Sequence, residues 1–146
     1  MTRSPEGLQA MVGIDTNVLV RHIVQDDQKQ AALAQELIEE RCSPVDQARL
    51  PLVVLCELVW VLGSAYGYSR KQIALALRQV LVTDCFEVER RDLAWAALQD
   101  YAAGGADYAD RIIARLNCAH GADRTFTFDK KAARGEGFTL LTADNM

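Results

Sequence analysis

Histidine is scarce in this sequence, which holds only His22 and His120, and its four cysteines, Cys42, Cys56, Cys85 and Cys118, are scattered without a C-x-x-C pair. A zinc site needs several such ligands at close spacing, so zinc chemistry is not expected and the thiols are expected to be reduced. Long apolar runs are also missing. The longest, Leu50 to Leu62, is interrupted by Glu57 and falls short of the roughly 20 residues of a membrane span. The opening MTRSPEGLQA has no apolar core of the kind a secretory signal requires, so a cytoplasmic location is expected. Neither common glycine-rich phosphate fingerprint occurs, and no repeat or low-complexity segment divides the chain. An excess of positive charge is lacking too, the formal net charge being −4. That weighs against indiscriminate polyanion binding, although bound cations and local basic patches can outweigh a total.

What is present describes an ordinary globular chain. With 146 residues, half of them apolar and a quarter charged, it can bury roughly two-thirds of its unfolded surface without disulfide support. Residues 11–146 are read as one domain, and residues 1–10 as an extension outside the fold. Met11 to Ile14 reads as a buried strand that stops at the polar turn Asp15-Thr16-Asn17. Ala31, Ala34, Leu37 and Ile38 recur at helical spacing over 29–41, and Ser43-Pro44 ends that helix. A brief strand over 49–52 precedes a helix over 53–66 ended by Gly67, and Ser69 N-caps the next, to Val82. A short strand is expected over 86–88, and helices over 92–103 and 107–120. Strands over 125–128 and 138–141 flank a short charged helix. Strands alternating with helices imply an α/β fold, with a parallel sheet covered on both faces and ligands beyond the carboxyl ends of its strands.

Acidic residues stand where such a sheet binds ligands. Glu57 has apolar helical neighbours Val53, Val54, Trp60 and Val61. A buried carboxylate there needs an arginine, a proton or a metal, or else an edge position that reaches solvent. Asp15 and Asp129 each follow an expected strand, where aspartate also serves ordinary turns and caps. Asp107 and Asp110 stand three apart at a helix start, away from the apolar face of Ala109, Ile112, Ile113 and Leu116. Capping, the helix dipole and an Arg111 pair would account for them equally. Taken together, carboxylates from distant segments without clustered histidine or cysteine suit a hard cation. A phosphatase, a phosphoacceptor domain and a calcium site all remain compatible with that pattern.

The ordered set Met11-Val-Gly-Ile-Asp15-Thr-Asn17-Val-Leu, Glu57 in an apolar helix, Ala-Asp107-Tyr-Ala-Asp110-Arg-Ile-Ile-Ala and Thr125-Phe-Thr127-Phe-Asp129-Lys130 resembles the PIN-domain nucleases, in particular the VapC-type toxins of bacterial toxin–antitoxin pairs. The resemblance implies a three-layer α/β/α fold with a parallel, Rossmann-like sheet. It makes Asp15, Glu57, Asp110 and Asp129 the catalytic, metal-holding acids for Mg²⁺ or Mn²⁺, with Asp107 an accessory ligand. Thr16 and Asn17 would orient the first carboxylate, and Thr127 would support the fourth. The implied activity is metal-dependent hydrolysis of RNA, leaving a 5′-phosphate and a 3′-hydroxyl. The implied partners are an RNA substrate, a small cognate antitoxin and a second copy of the chain, with Arg21, Lys130, Lys131 and Arg134 as candidate RNA contacts. The rival reading is a PIN-like domain that binds RNA or protein without cleaving. A phosphoryl-transfer domain with Asp15 as nucleophile is disfavoured, because Thr-Asn follows where a second aspartate is required two residues on.

Overall fold

The computed structural model describes residues 11–146, so the extension assigned to residues 1–10 lies outside the described residues. Two compact units divide the chain, the first ending at Arg91 and the second running from Asp92 to Met146.

The first unit contains α1 (Thr16–Val24), α2 (Gln28–Arg41), β1 (Ala48–Leu50), α3 (Leu52–Ser64), α4 (Arg70–Val82) and β2 (Phe86–Val88). β1 and β2 pair in parallel, with Ala48 opposite Phe86 and Leu50 opposite Val88. Parallel neighbours need a long crossover, and α3 with α4 supplies it. On the other side of β1, Gly13 bridges to Arg49 in parallel, held by Ile14 N–H to Arg49 O at 3.0 Å and Arg49 N–H to Val12 O at 2.8 Å. The segment expected as a strand over 11–14 is therefore a single parallel bridge. Ala48, Leu50, Phe86 and Val88 point inward and are buried with Ile14, Leu19, Leu55, Leu58, Leu62, Leu77 and Leu81.

The helix α1 is a correction, since Asp15-Thr16-Asn17 was expected to form a turn. The three polar residues open a helix whose Leu19 and Val20 are buried. It ends at Gln25, which takes a left-handed conformation (φ 59°) and donates its N–H to Arg21 O. Burial of an apolar face decides the matter over turn propensity. Elsewhere local signals govern: Ser69 and Gln72 form a reciprocal capping box at the start of α4, and Asp27 caps α2 by accepting from Gln30 N–H at 3.0 Å.

The second unit holds α5, which begins at the boundary (Arg91–Ala102), then α6 (Tyr108–Ala119), β3 (Thr125–Thr127), a short 3-10 helix (Ala132–Arg134) and β4 (Phe138–Leu140). β3 and β4 pair in parallel, Thr125 opposite Phe138 and Thr127 opposite Leu140. Tyr108 is fully buried and donates its hydroxyl to Ala94 O at 3.1 Å, tying α6 to α5, and its ring meets Tyr101 edge to face at 6.0 Å. The expected mixed α/β class with parallel strands is observed. Among the described residues no helix is long and apolar enough to cross a membrane.

Candidate active site

Asp15 is the N-cap residue of α1, with the extended backbone typical of that position, yet its side chain makes no capping hydrogen bond. The same is true of Asp107 at the N-cap of α6. Asp27 and Ser69, in the equivalent positions of α2 and α4, do cap. An aspartate at an N-cap ordinarily accepts from the backbone two or three residues on. Asp15 and Asp107 are both exposed, and neither carboxylate is spent on capping.

Thr16 is buried (6% exposed), and its hydroxyl donates to Glu57 Oε1 at 2.8 Å, joining residues 41 positions apart. It was expected to orient the carboxylate of Asp15. Instead it fixes the carboxylate of Glu57, and the residue next to Asp15 thereby binds the α3 acid. Glu57 itself differs from the buried position considered from sequence: it is exposed, on a face of α3 where Val53 and Trp60, one turn either side, are 62% and 71% exposed. Apolar neighbours at helical spacing cannot distinguish a buried face from an uncovered apolar one. Burial, and then the Glu57 charge, push the neighbouring Cys56 thiol up to about 11. Asn17 lines a cavity of about 290 Å³ between α1 and α2, with Val18, Arg21, Leu33 and Leu37. Arg21 is engaged there by Asp26 at 3.1 Å, Gln30 and Tyr66.

In the second unit, Asp107 and Asp129 both act on Asp110. The Asp110 carboxyl is raised above its ordinary range, first by burial, then by the charges of Asp107 and Asp129, against the opposing effects of the Asp107 backbone N–H and Arg111. Two neighbouring carboxylates that disfavour a third are the electrostatics a cation relieves. Lys131 Nζ stands 4.0 Å from Asp107 Oδ1, a solvent-exposed pair with little energy of its own. Asp129 is placed by its turn: its N–H donates to Thr127 Oγ1 at 3.0 Å, while its Oδ1 accepts from Lys131 N–H at 2.8 Å and Ala132 N–H at 3.3 Å. One oxygen is thus spent on local structure, and a carboxylate has a second.

Arg111 does not pair back to Asp107 as its spacing suggested. It donates to Gly104 O at 3.1 Å, and its Nε is buried without a partner. A Cβ on Gly135 would lie 2.4 Å from Arg111 Nη1. Gly135 has φ −86°, which any residue adopts, and a side chain there would have to displace the end of the guanidinium.

As a donor set Asp107, Asp110 and Asp129 fit a hard divalent cation, being oxygen ligands of which two raise the third by their charge. They do not form a closed cage: among the described residues no three His, Cys, Asp or Glu side chains are gathered for a metal ion. Mg²⁺ is commonly held by one or two carboxylates plus waters, so the chemistry of the donors, and not a preformed shell, carries the fit.

A search of curated proteins and of solved structures gives no significant match. The family model of the PIN domain matches residues 12–145, a span that includes all five acids discussed above. PIN domains are usually nucleases and typically use divalent metal ions. The chain belongs to the PIN domain family.

Proposed function

We propose that this chain is a divalent-metal-dependent endoribonuclease, served by Mg²⁺ or Mn²⁺, and the toxin of a toxin–antitoxin pair. The observation that carries the nuclease reading is that Asp15 and Asp107 occupy helix N-caps without capping, in a chain matched along nearly its whole length by a family of nucleases. Asp15, Glu57, Asp110 and Asp129 are the acids assigned to the metal, with Asp107 accessory. When bound, the cation supplies a deprotonated water and neutralises charge on the phosphate during in-line displacement. The side chains prepare for that chemistry. The buried Thr16 hydroxyl holds Glu57 in one orientation, and Thr127 fixes the turn that presents Asp129. The repulsion stored around Asp110 favours a cation over an empty site.

Two partner assignments belong to the same reading. The exposed carboxylates suit a basic side chain from an antitoxin, which would pair with them in place of metal and RNA. Exposed Val53 and Trp60 on α3, with Leu75 and Val82 on α4, support a homodimer, since uncovered apolar faces of this kind mark protein contacts. Lys130, Lys131 and Arg134 are exposed and remain candidate RNA contacts, whereas Arg21 is held by Asp26, Gln30 and Tyr66 and is withdrawn from that role. One observation favours the rival, a PIN-like domain that binds without cleaving: Asp129 Oδ1 is occupied by backbone N–H groups. Wild-type protein and Asp15→Asn assayed on total RNA with Mg²⁺ or Mn²⁺, with and without chelator, separate the two. Cleavage by the wild type alone, abolished by chelator, is expected. RNA binding without cleavage under every metal condition would establish the rival.

A further inference from the structure

Arg111 occupies a place that stability alone does not account for. It is half-buried on α6, directly after the site acid Asp110, and its Nε is buried without a partner. A buried donor left unsatisfied costs about 1–3 kcal/mol, and holding an arginine side chain in one geometry costs rotamer entropy besides. An arginine kept for an ion pair would turn to a carboxylate. This one donates from Nη2 to a backbone carbonyl, Gly104 O, at 3.1 Å.

Two backbone segments close on that guanidinium. One is the turn at Gly104 and Gly105, both in left-handed conformations (φ 101° and 86°), which leads directly into Asp107; Nη2 stands 3.2 Å from where a Gly105 Cβ would lie. The other is Gly135, whose missing side chain leaves the space that Nη1 fills. Gly135 is tied to the Asp129 turn, since its N–H donates to Ala132 O at 3.0 Å, Ala133 N–H donates to Asp129 O at 3.0 Å, and Asp129 Oδ1 accepts from the Lys131 and Ala132 N–H groups. The same two segments approach each other at the acids, where Lys131 Nζ lies 4.0 Å from Asp107 Oδ1. One planar side chain therefore spans from the segment that delivers Asp107 to the segment that delivers Asp129.

We propose that Arg111 is a positioning residue, a clamp between the Gly104–Gly105 turn and Gly135 that sets the separation of Asp107 and Asp110 from Asp129 for a divalent cation. The consequence for metal rests on the reading that these acids hold one, whereas the clamp itself belongs to the second unit without metal. Charge and geometry make opposite demands here. A guanidinium whose charge is felt at Asp110 competes with a cation, so if charge were its whole effect, removing it would tighten metal binding. If it sets the spacing of the ligands, removing it loosens metal binding.

The test takes wild type, Arg111→Met, Arg111→Lys, Gly135→Ala and the double variant Arg111→Met with Gly135→Ala, each shown to be folded, and measures Mn²⁺ affinity by calorimetry and amide hydrogen exchange in chelator. Arg111→Met is expected to bind Mn²⁺ roughly tenfold more weakly and to exchange the Lys131 and Ala132 amides faster. Gly135→Ala, which displaces the end of the guanidinium, is expected to do the same, and the double variant to lose no more than Arg111→Met alone, because the two changes remove one contact. Arg111→Lys keeps the charge without the fork and is expected to bind as weakly as Arg111→Met. Mn²⁺ affinity equal to or tighter than that of the wild type in Arg111→Met overturns the clamp, as does full rescue by lysine, which would leave charge as the operative property. Weaker binding with unchanged exchange also overturns it, and so do fully additive losses in the double variant. Should Arg111→Met not fold, Gly135→Ala decides by the same two readouts. A wild type that binds no Mn²⁺ would end the metal reading, and exchange in chelator alone would then uphold the clamp if faster in Arg111→Met and Gly135→Ala, or overturn it if unchanged.

Discussion

Thr16 offers the most local handle on the site, because it is buried and its hydroxyl reaches a carboxylate on another helix. Thr16→Val keeps the shape and removes that bond. Glu57 is exposed and can be rehydrated, so stability should fall by about 1 kcal/mol, read as a shift in the urea midpoint. Mn²⁺ affinity should fall by roughly 10- to 100-fold if Glu57 is a ligand whose orientation matters, which calorimetric titration would show. Asp110 gives a pH signature. Its carboxyl is raised above the ordinary 3.8 by burial and by Asp107 and Asp129, so in the window above 3.8 the folded state binds more protons than the unfolded one. Stability therefore falls as pH rises through the folded value, and the penalty is fully present at neutral pH. Asp110→Asn should melt higher than wild type at pH 7 without metal. The advantage should disappear towards pH 3.8, and added Mg²⁺ should stabilise the wild type more than the variant. A wild type that melts higher than Asp110→Asn at neutral pH in chelator would remove the strain from the account. That Asp107 and Asp110 stand at a helix start was legible from the chain, because residue type and spacing carry it. The Thr16–Glu57 bond was not, since residues 41 positions apart meet only through packing.

At the scale of elements, the helix starts separate acids that build structure from acids that do not. Ser69→Ala removes half of a reciprocal capping box and should cost about 1 kcal/mol. Asp15→Ala and Asp107→Ala remove no capping bond. Both should melt within a degree or two of wild type in chelator, on the order of the change expected for a surface position. Thermal denaturation of the three variants side by side checks this, and a loss at Asp15 as large as that at Ser69 would return Asp15 to ordinary capping. The same contrast explains what the sequence revealed. α4 was legible because Ser69 announces its start and Gly67 separates it from the helix before. α1 was not, because Asp15, Thr16 and Asn17 are all turn formers, and only the burial of Leu19 and Val20 draws them into a helix. β3 was legible as a strand from its alternation, but its pairing with β4 was not, since partners such as Thr125 and Phe138 meet only in the folded chain.

The whole molecule presents a parallel strand pair in each of its two units, with acids at the start of α1 and on α3 in the first and around α6 and the β3 turn in the second. The net charge of −4 is the total of a chain whose site is itself acidic, so for a metal-dependent nuclease it is no objection to an RNA substrate: cations at the carboxylates reverse the local sign. The central claim is the proposed metal-dependent cleavage of RNA, with Asp15 and Asp110 each required for it. It is tested most directly by following cleavage of a labelled oligoribonucleotide across a Mn²⁺ titration with wild type, Asp15→Asn and Asp110→Asn, each first shown to be folded by its melting curve. The account predicts that wild-type cleavage rises with Mn²⁺ and stops in chelator, and that either substitution alone abolishes it. Cleavage that persists in chelator, or that survives at the wild-type rate in Asp110→Asn, would contradict it.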